Sequence, residues 1–232
     1  MAKDREKFRI LVVDDEADIV ELLEYNLLKE GYEVKTAANG KQGVDVARTF
    51  LPHIVLLDVM MPVMDGIEAC RRIKDIPELY KTSVLVLTAR TEEYTEVAAF
   101  DAGADDFISK PIKPKALISR IATVLKREKK LNDEKISTLK IGDLTIDRSK
   151  YIVYQGDTPV TLPRKEFELL YFLATNENKV FNRDELLQKV WGTDVYVLSR
   201  TVDVHIRKVR ERLGETYIKT IKGVGYKFEL SD

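Results

Sequence analysis

From Phe8 to about residue 125, apolar runs of strand length (FRILVV, YEVKTA, HIVLL, SVLVLT and DFIS) alternate with amphipathic stretches of helix length. A strand that feeds a crossover helix pairs in parallel, and a parallel sheet is covered on both faces. The pattern therefore predicts a doubly wound α/β domain with a five-stranded, mostly parallel sheet. Gly31, after the helical run ending LLKE, is expected just beyond a helix C-terminus, and Pro52 is expected to break helix from strand. Residues 127–137 are charged and lack a usable period, which predicts a linker and places the first domain at 1–126. From 138 to 232 the pattern changes. Four short strand candidates, LKIG, LTID, YIVYQ and TPVTL, suggest an antiparallel meander. Three helices are expected next: Lys165 to Ala174, RDELLQKVW behind an Asn182 cap, and RTVDVHIRKVRERL behind a Ser199 cap. A hairpin around Gly223 and Gly225 closes an α+β domain.

The single cysteine, Cys70, excludes an intrachain disulfide and a thiolate zinc site and suits a reducing cytoplasm. Two histidines, His53 and His205, weigh against histidine-based metal or triad chemistry. The charged start MAKDREKF does not read as a secretory signal, and no stretch has the length and apolarity of a membrane span. The net charge of -1, from 38 basic and 39 acidic residues, weighs by itself against a nucleic-acid binder. Splitting it is informative. Residues 1–130 carry net -2 and residues 131–232 net +1, and within the latter the stretch from Ser199 to Phe228 holds eight basic residues against three acidic, net +5.

In the first half, Asp14 and Asp15 end one apolar strand and Asp58 ends another, while Thr88 and Lys110 close two more. Strand ends beside the reversal of strand order form the ligand crevice of such sheets. Each residue alone has a bland reading, as a helix cap, a turn or a surface lysine. Together they place several carboxylates, a hydroxyl and an ammonium on one rim. Crowded carboxylates resist joint ionisation unless a cation sits among them, and an oxygen-only site suits Mg²⁺. A carboxylate beside Mg²⁺ is a competent nucleophile toward phosphorus.

In the second half, Val202, Ile206, Val209 and Leu213 form the core stripe of the last long helix, leaving Arg200, Asp203, Val204, Arg207, Lys208 and Glu211 on the other face. Arginines that read guanine edges and a valine that touches a thymine methyl suit the major groove. A solvated charged face is the competing explanation for the helix alone. Lys222 and Lys227 around GVG add a basic ribbon suited to an adjacent minor groove or backbone.

The motifs LVVDDE, LLDVMMPVMDG, VLTA and GADDFISKP resemble the receiver domain of two-component response regulators, and LPRKEFELL, RDELLQKVWG, RTVDVHIRKVRERL and YIKTIKGVGYKF resemble the winged-helix effector domain of the OmpR/PhoB subfamily. The resemblance implies that Asp58 accepts a phosphoryl group from a sensor histidine kinase. Asp14, Asp15, Asp58 and the Met60 carbonyl would hold Mg²⁺, and Thr88, Ala89 and Lys110 would serve the phosphoryl oxygens. Phe107 would act as the switch aromatic, and the Lys110–Pro111 peptide would be cis. DNA contacts are implied for Arg200, Thr201, Asp203, Val204, His205, Arg207, Lys208, Arg210, Lys222 and Lys227, with Trp191 in the core and GTDVYVLS facing RNA polymerase or phosphates. Phosphorylated receivers would form a homodimer, with Asp105, Asp106, Arg120 and Arg127 in its charged interface, on tandem half-sites. Glu96 and Ala116 depart from the family's pattern there and remove one ion pair. Such a receiver catalyses only its own phosphorylation and dephosphorylation. The alternatives are a receiver whose basic second half docks a protein, and a Mg²⁺-dependent aspartyl-phosphate phosphatase.

Overall fold

The structure is a computed structural model that describes residues 8–89, 98–133, 138–192 and 200–230. The chain divides into two compact units, Met1–Lys126 and Arg127–Asp232.

In the first unit, β1 (Arg9–Val13), β2 (Glu33–Ala37), β3 (Ile54–Asp58), β4 (Ser83–Ala89) and β5 (Asp106–Lys110) form a parallel sheet in the order β2-β1-β3-β4-β5. Helices α1 (Ala17–Lys29), α2 (Gly40–Phe50), α3 (Gly66–Lys74), α4 (described over 98–101) and α5 (Pro114–Asp133) accompany it. Leu23 and Leu27 of α1 and Leu117, Ile121 and Leu125 of α5 pack against Ile10, Val12, Ile54, Leu56, Leu85 and Leu87 in one core. The alternate residues, Leu11, Val13, Val55, Leu57, Val84 and Val86, are buried too, so the central strands are apolar on both faces. On that second face α2 lies so close that a Cβ on Gly43 would sit 2.9 Å from Val13. α1 ends as Gly31 predicts: its φ is 87°, its N–H meets the Leu28 carbonyl, and Tyr32 N–H reaches back to the Leu27 carbonyl. α5 continues to Asp133, into the segment read as a linker. The residues Lys, Arg, Glu and Leu that dominate there are good helix formers even where the sequence shows no apolar period.

The second unit begins with an antiparallel meander, β6 (Thr138–Ile141), β7 (Leu144–Asp147), β8 (Ile152–Gln155) and β9 (Thr158–Thr161). Three helices follow, α6 (Arg164–Ala174), α7 (Arg183–Val190) and α8 (Arg200–Leu213), then the hairpin β10 (Ile218–Ile221) and β11 (Gly225–Phe228). Phe167, Leu169, Leu170, Leu173, Leu186, Val202, Ile206, Val209 and Phe228 fill the core, with Trp191 at the end of α7. The Trp191 ring lies 5.0 Å from His205 and has the Lys165 ammonium 5.3 Å above it. Asn182 caps α7 in a full capping box with Glu185. Asn182→Ala is expected to destabilise this unit by about 1 kcal/mol, read as a lower urea midpoint at unchanged slope; an unmoved midpoint would show that water replaces the cap. Ser199, the expected cap of α8, lies outside the described residues. No helix among the described residues is long and apolar enough to cross a membrane.

Candidate functional site

β1 and β3 are neighbours whose C-terminal ends open on the crevice where strand order reverses. Asp14 follows β1 and is fully buried, and Asp58 ends β3 with 5% exposure. Carboxylate oxygens of Asp14, Asp15 and Asp58 all lie within 4.8 Å of one another. Lys110, at the end of β5, places its Nζ 2.7 Å from Asp58 Oδ1, 2.9 Å from Asp14 Oδ2 and 3.0 Å from Glu16 Oε1. The second Asp58 oxygen accepts the Met60 N–H at 2.8 Å. Close packing holds this loop in place, because a Cβ on Gly66 would fall 2.0 Å from the Asp58 carbonyl oxygen. Between β3 and β5, Thr88 and Ala89 close β4 in register with Ser109 and Lys110. Phe107, on the same strand as Lys110, is buried edge-on against Phe100 at 6.0 Å. The Lys110–Pro111 peptide is cis.

Burial pushes the Asp58 carboxyl up; Lys110 and the Met60 N–H pull against this, while the charge of Asp14 adds to it. Burial also opposes the Lys110 charge, but the carboxylates of Asp58, Asp14 and Glu16 outweigh it and hold that ammonium above its usual range. One ammonium among four acids leaves surplus negative charge, and every donor is oxygen, so the cluster can hold a hard divalent cation. The raised Asp58 carboxyl fixes the sign of a prediction. The folded protein holds this proton more tightly than the unfolded chain does, so the charged form at neutral pH weighs against the fold. In buffer containing a chelator, Asp58→Asn is expected to melt at a higher temperature than the parent at neutral pH. The gain should disappear below about pH 4, where the carboxyl is protonated in both states. A variant that melts lower at neutral pH would contradict this.

Glu16 was missed as a partner of Lys110; its position directly after the paired aspartates was the available signal. Of the residues expected in a charged dimer interface, Asp105, Asp106 and Arg120 make ion pairs within the chain. Asp105 is buried, bound to Lys74 Nζ at 2.5 Å and to the Val84 N–H at 2.8 Å, so it is not a surface group. Asp106 is also buried and pairs with Arg120 at 3.2 Å within the chain, and Arg120 donates to the Phe107 carbonyl. Ala116 is exposed; Glu96 and the Arg127 side chain lie outside the described residues.

On the second unit, Arg200 and Arg207 of α8 are exposed and Val204 and Lys208 partly so. Arg207 lies 3.6 Å from Glu211 along the helix. Lys222 is exposed at the hairpin turn, and Lys227 pairs with Glu229 at 2.9 Å. Of the other expected DNA contacts, two are buried and two are engaged in hydrogen bonds within the unit. Thr201 and His205 are 3% and 1% exposed, and Trp191 packs against His205 on the flank of α8 next to the apolar stripe. Asp203 accepts from Arg183 and Tyr226, and Arg210 donates to Ile218 and Thr220. Of GTDVYVLS, residues 193–199 lie outside the described set.

The two sites meet two family models in one chain. Residues 10–122 match the response regulator receiver domain, and residues 157–228 match the C-terminal domain of transcriptional regulatory proteins. The chain is 40% identical to the alkaline phosphatase synthesis transcriptional regulatory protein PhoP of Bacillus subtilis, over 95% of this chain and 96% of that one. It is also 40% identical to the phosphate regulon transcriptional regulatory protein PhoB of Rhizobium meliloti, over 95% and 98%. Among solved structures, a RitR mutant is similar with a TM-score of 0.76 at 27% identity, over 97% of this chain and all of that one. The response regulator DrrB, a Thermotoga maritima OmpR/PhoB homologue, matches over the same shares at 36% identity with a TM-score of 0.50. A buried acidic pocket on a parallel sheet, a winged helix behind it in sequence and relatives aligned nearly end to end lead to one conclusion: the chain belongs to the OmpR/PhoB family of two-component response regulators and regulates transcription.

Proposed function

We propose that Asp58 is the phosphoacceptor of a cytoplasmic response regulator whose winged helix binds DNA in a phosphorylation-dependent way. The observation that carries this reading is the Lys110 ammonium 2.7 Å from the oxygen of a buried aspartate at a strand end. A carboxylate oxygen of Asp58 attacks the phosphorus of a phosphohistidine on the sensor kinase; the O–P bond forms as the N–P bond breaks, and the imidazole leaves. Asp14, Asp15, Asp58 and the Met60 carbonyl would hold Mg²⁺, which supplies charge neutralisation on the phosphoryl oxygens. Lys110 exchanges its contact with Asp58 for a phosphoryl oxygen, and Thr88, one residue before Ala89, the register partner of Lys110, offers a hydroxyl. Ala89 leaves the approach open because its side chain is a methyl. Movement of Thr88 toward the phosphoryl group vacates space that Phe107 fills, carrying the change to the β4–β5 side of the sheet.

On DNA, Arg200, Val204, Arg207 and Lys208 occupy the accessible face of α8, and Lys222 and Lys227 flank the hairpin turn. These support major-groove reading by the helix with backbone or minor-groove contact by the wing. Receiver dimerisation on tandem half-sites would bring Asp106 and Arg120 to exchange their internal pair for one across the interface, and RNA polymerase is the downstream partner. One experiment tests the reading. Incubation with acetyl phosphate and Mg²⁺ is expected to give a base-labile phosphoprotein that binds DNA selected from a genomic library. Asp58→Asn should remain unlabelled and unresponsive, and Arg207→Ala should be labelled but bind that DNA more weakly by about 1–3 kcal/mol. Equal labelling of Asp58→Asn, or binding indifferent to salt, would overturn it.

A further inference from the structure

Asp203 is an acid on a helix face otherwise suited to phosphate, where its charge alone weakens DNA binding. Its Oδ1 accepts the Tyr226 hydroxyl at 2.7 Å and the Arg183 Nε–H at 2.7 Å. The Arg183 guanidinium lies over the Tyr226 ring, 5.3 Å from its centroid, and a second N–H is 3.4 Å from the Tyr226 oxygen. The three residues belong to three elements: Arg183 opens α7, Asp203 stands in the first turn of α8, and Tyr226 lies in β11 of the wing. Further along α8, Arg210 donates to the Ile218 carbonyl and to Thr220 Oγ1, both at 2.8 Å, in β10. The helix is thus tied to both strands of the wing, at either end of the stretch carrying Val204, Arg207 and Lys208.

Stability does not explain the arrangement. The Asp203 and Arg183 side chains are 39% and 37% exposed, so their pair contributes only about 0–1 kcal/mol. What the contacts fix is direction. Burial, reinforced by the Asp203 carboxylate, pushes the Tyr226 hydroxyl up and keeps it a donor. We infer that Asp203 is a positioning residue which, with Arg183 and Tyr226, holds the wing at a set angle to α8 so that helix and wing engage adjacent grooves of the DNA together. The inference rests on the DNA-binding reading above.

The test uses the full-length phosphorylated protein on DNA that the parent selects, probed with dimethyl sulfate, which methylates guanine N7 in the major groove and adenine N3 in the minor groove. Asp203→Asn and Tyr226→Phe are compared with the parent, each first checked by its melting temperature; Tyr226→Phe keeps the buried ring should the other variant fold poorly. Both variants are expected to bind about tenfold more weakly, to lose adenine N3 protection at the wing and to keep guanine N7 protection at the helix. Charge alone predicts the opposite sign for Asp203→Asn, since removing a negative group and releasing Arg183 should tighten binding. Tighter or unchanged binding with both protections intact would overturn the positioning role while leaving the DNA-binding reading in place. Equal loss of both protections would overturn it as well. A parent protein that protects neither groove would remove the reading beneath it.

Discussion

Lys74→Met is expected to destabilise the first unit by about 3–5 kcal/mol, enough to unfold a marginal domain. Lys74 ends α3, and its ammonium, with the side chain 4% exposed, bonds Asp105 ahead of β5 and the Thr82 carbonyl ahead of β4. The same Asp105 oxygen accepts the Val84 N–H, so one ion pair joins a helix end to the starts of two strands. Removing the cation leaves a buried carboxylate without the ammonium that offsets most of its desolvation. Removing both charges in Lys74→Met with Asp105→Leu is expected to recover most of the loss, because no ion is then left without its counterion. Denaturant midpoints of the two variants read the difference. A loss below about 1 kcal/mol in the single variant would show that Asp105 reaches solvent instead.

Gly225→Ala is expected to disrupt the second unit by more than about 3 kcal/mol, through overpacking and the loss of two backbone hydrogen bonds. A Cβ there would sit 2.0 Å from the Phe181 carbonyl oxygen and 2.9 Å from the Asn182 Cα. Phe181 and Tyr226 exchange N–H to O bonds of 2.9 Å in both directions, which hold the wing to the start of α7. The obstacle is the backbone of Phe181 and Asn182, so no side chain can swing away. Gly223, two positions earlier, makes a useful contrast. A Cβ on it meets nothing within 4 Å, but its φ is 75°, so Gly223→Ala is expected to lose only about 1 kcal/mol, the conformational preference of a non-glycine residue. Equal midpoints for the two variants would refute the steric argument.

The alternation of strand and helix signals was enough to read the parallel sheet, because parallel strands buried on both faces leave continuous apolar runs and their crossover helices leave amphipathic ones. The acidic pocket was legible for the same reason: strand ends are fixed points of that architecture, so residues placed there converge. The dimer and DNA residues were less legible. Asp105 and Asp106 look alike in sequence, and nothing local announces that Lys74, far away in the chain, covers the first and Arg120 the second. On α8 the apolar stripe of Val202, Ile206, Val209 and Leu213 gave the core face correctly, but the buried arc is wider than the stripe. Thr201 and His205, polar in type, lie along its flank and are buried, and Trp191 packs against His205 there. Amphipathic period measures which side of a helix is apolar, not how far a neighbouring ring extends around it. The helical course of α5 beyond residue 126 is not legible because helix propensity without apolar residues at helical spacing leaves no periodic trace.

Trp191 is the only tryptophan in the chain, and it lies wholly within the winged-helix unit, packed on His205 of α8. Intrinsic fluorescence excited at the red edge of protein absorption therefore observes one domain of a two-domain protein without any label. Stopped-flow unfolding, DNA titration and quenching can be followed at the recognition helix while the receiver contributes no signal, and a fluorescence change on phosphorylating Asp58 would be a direct record of information passing from one unit to the other.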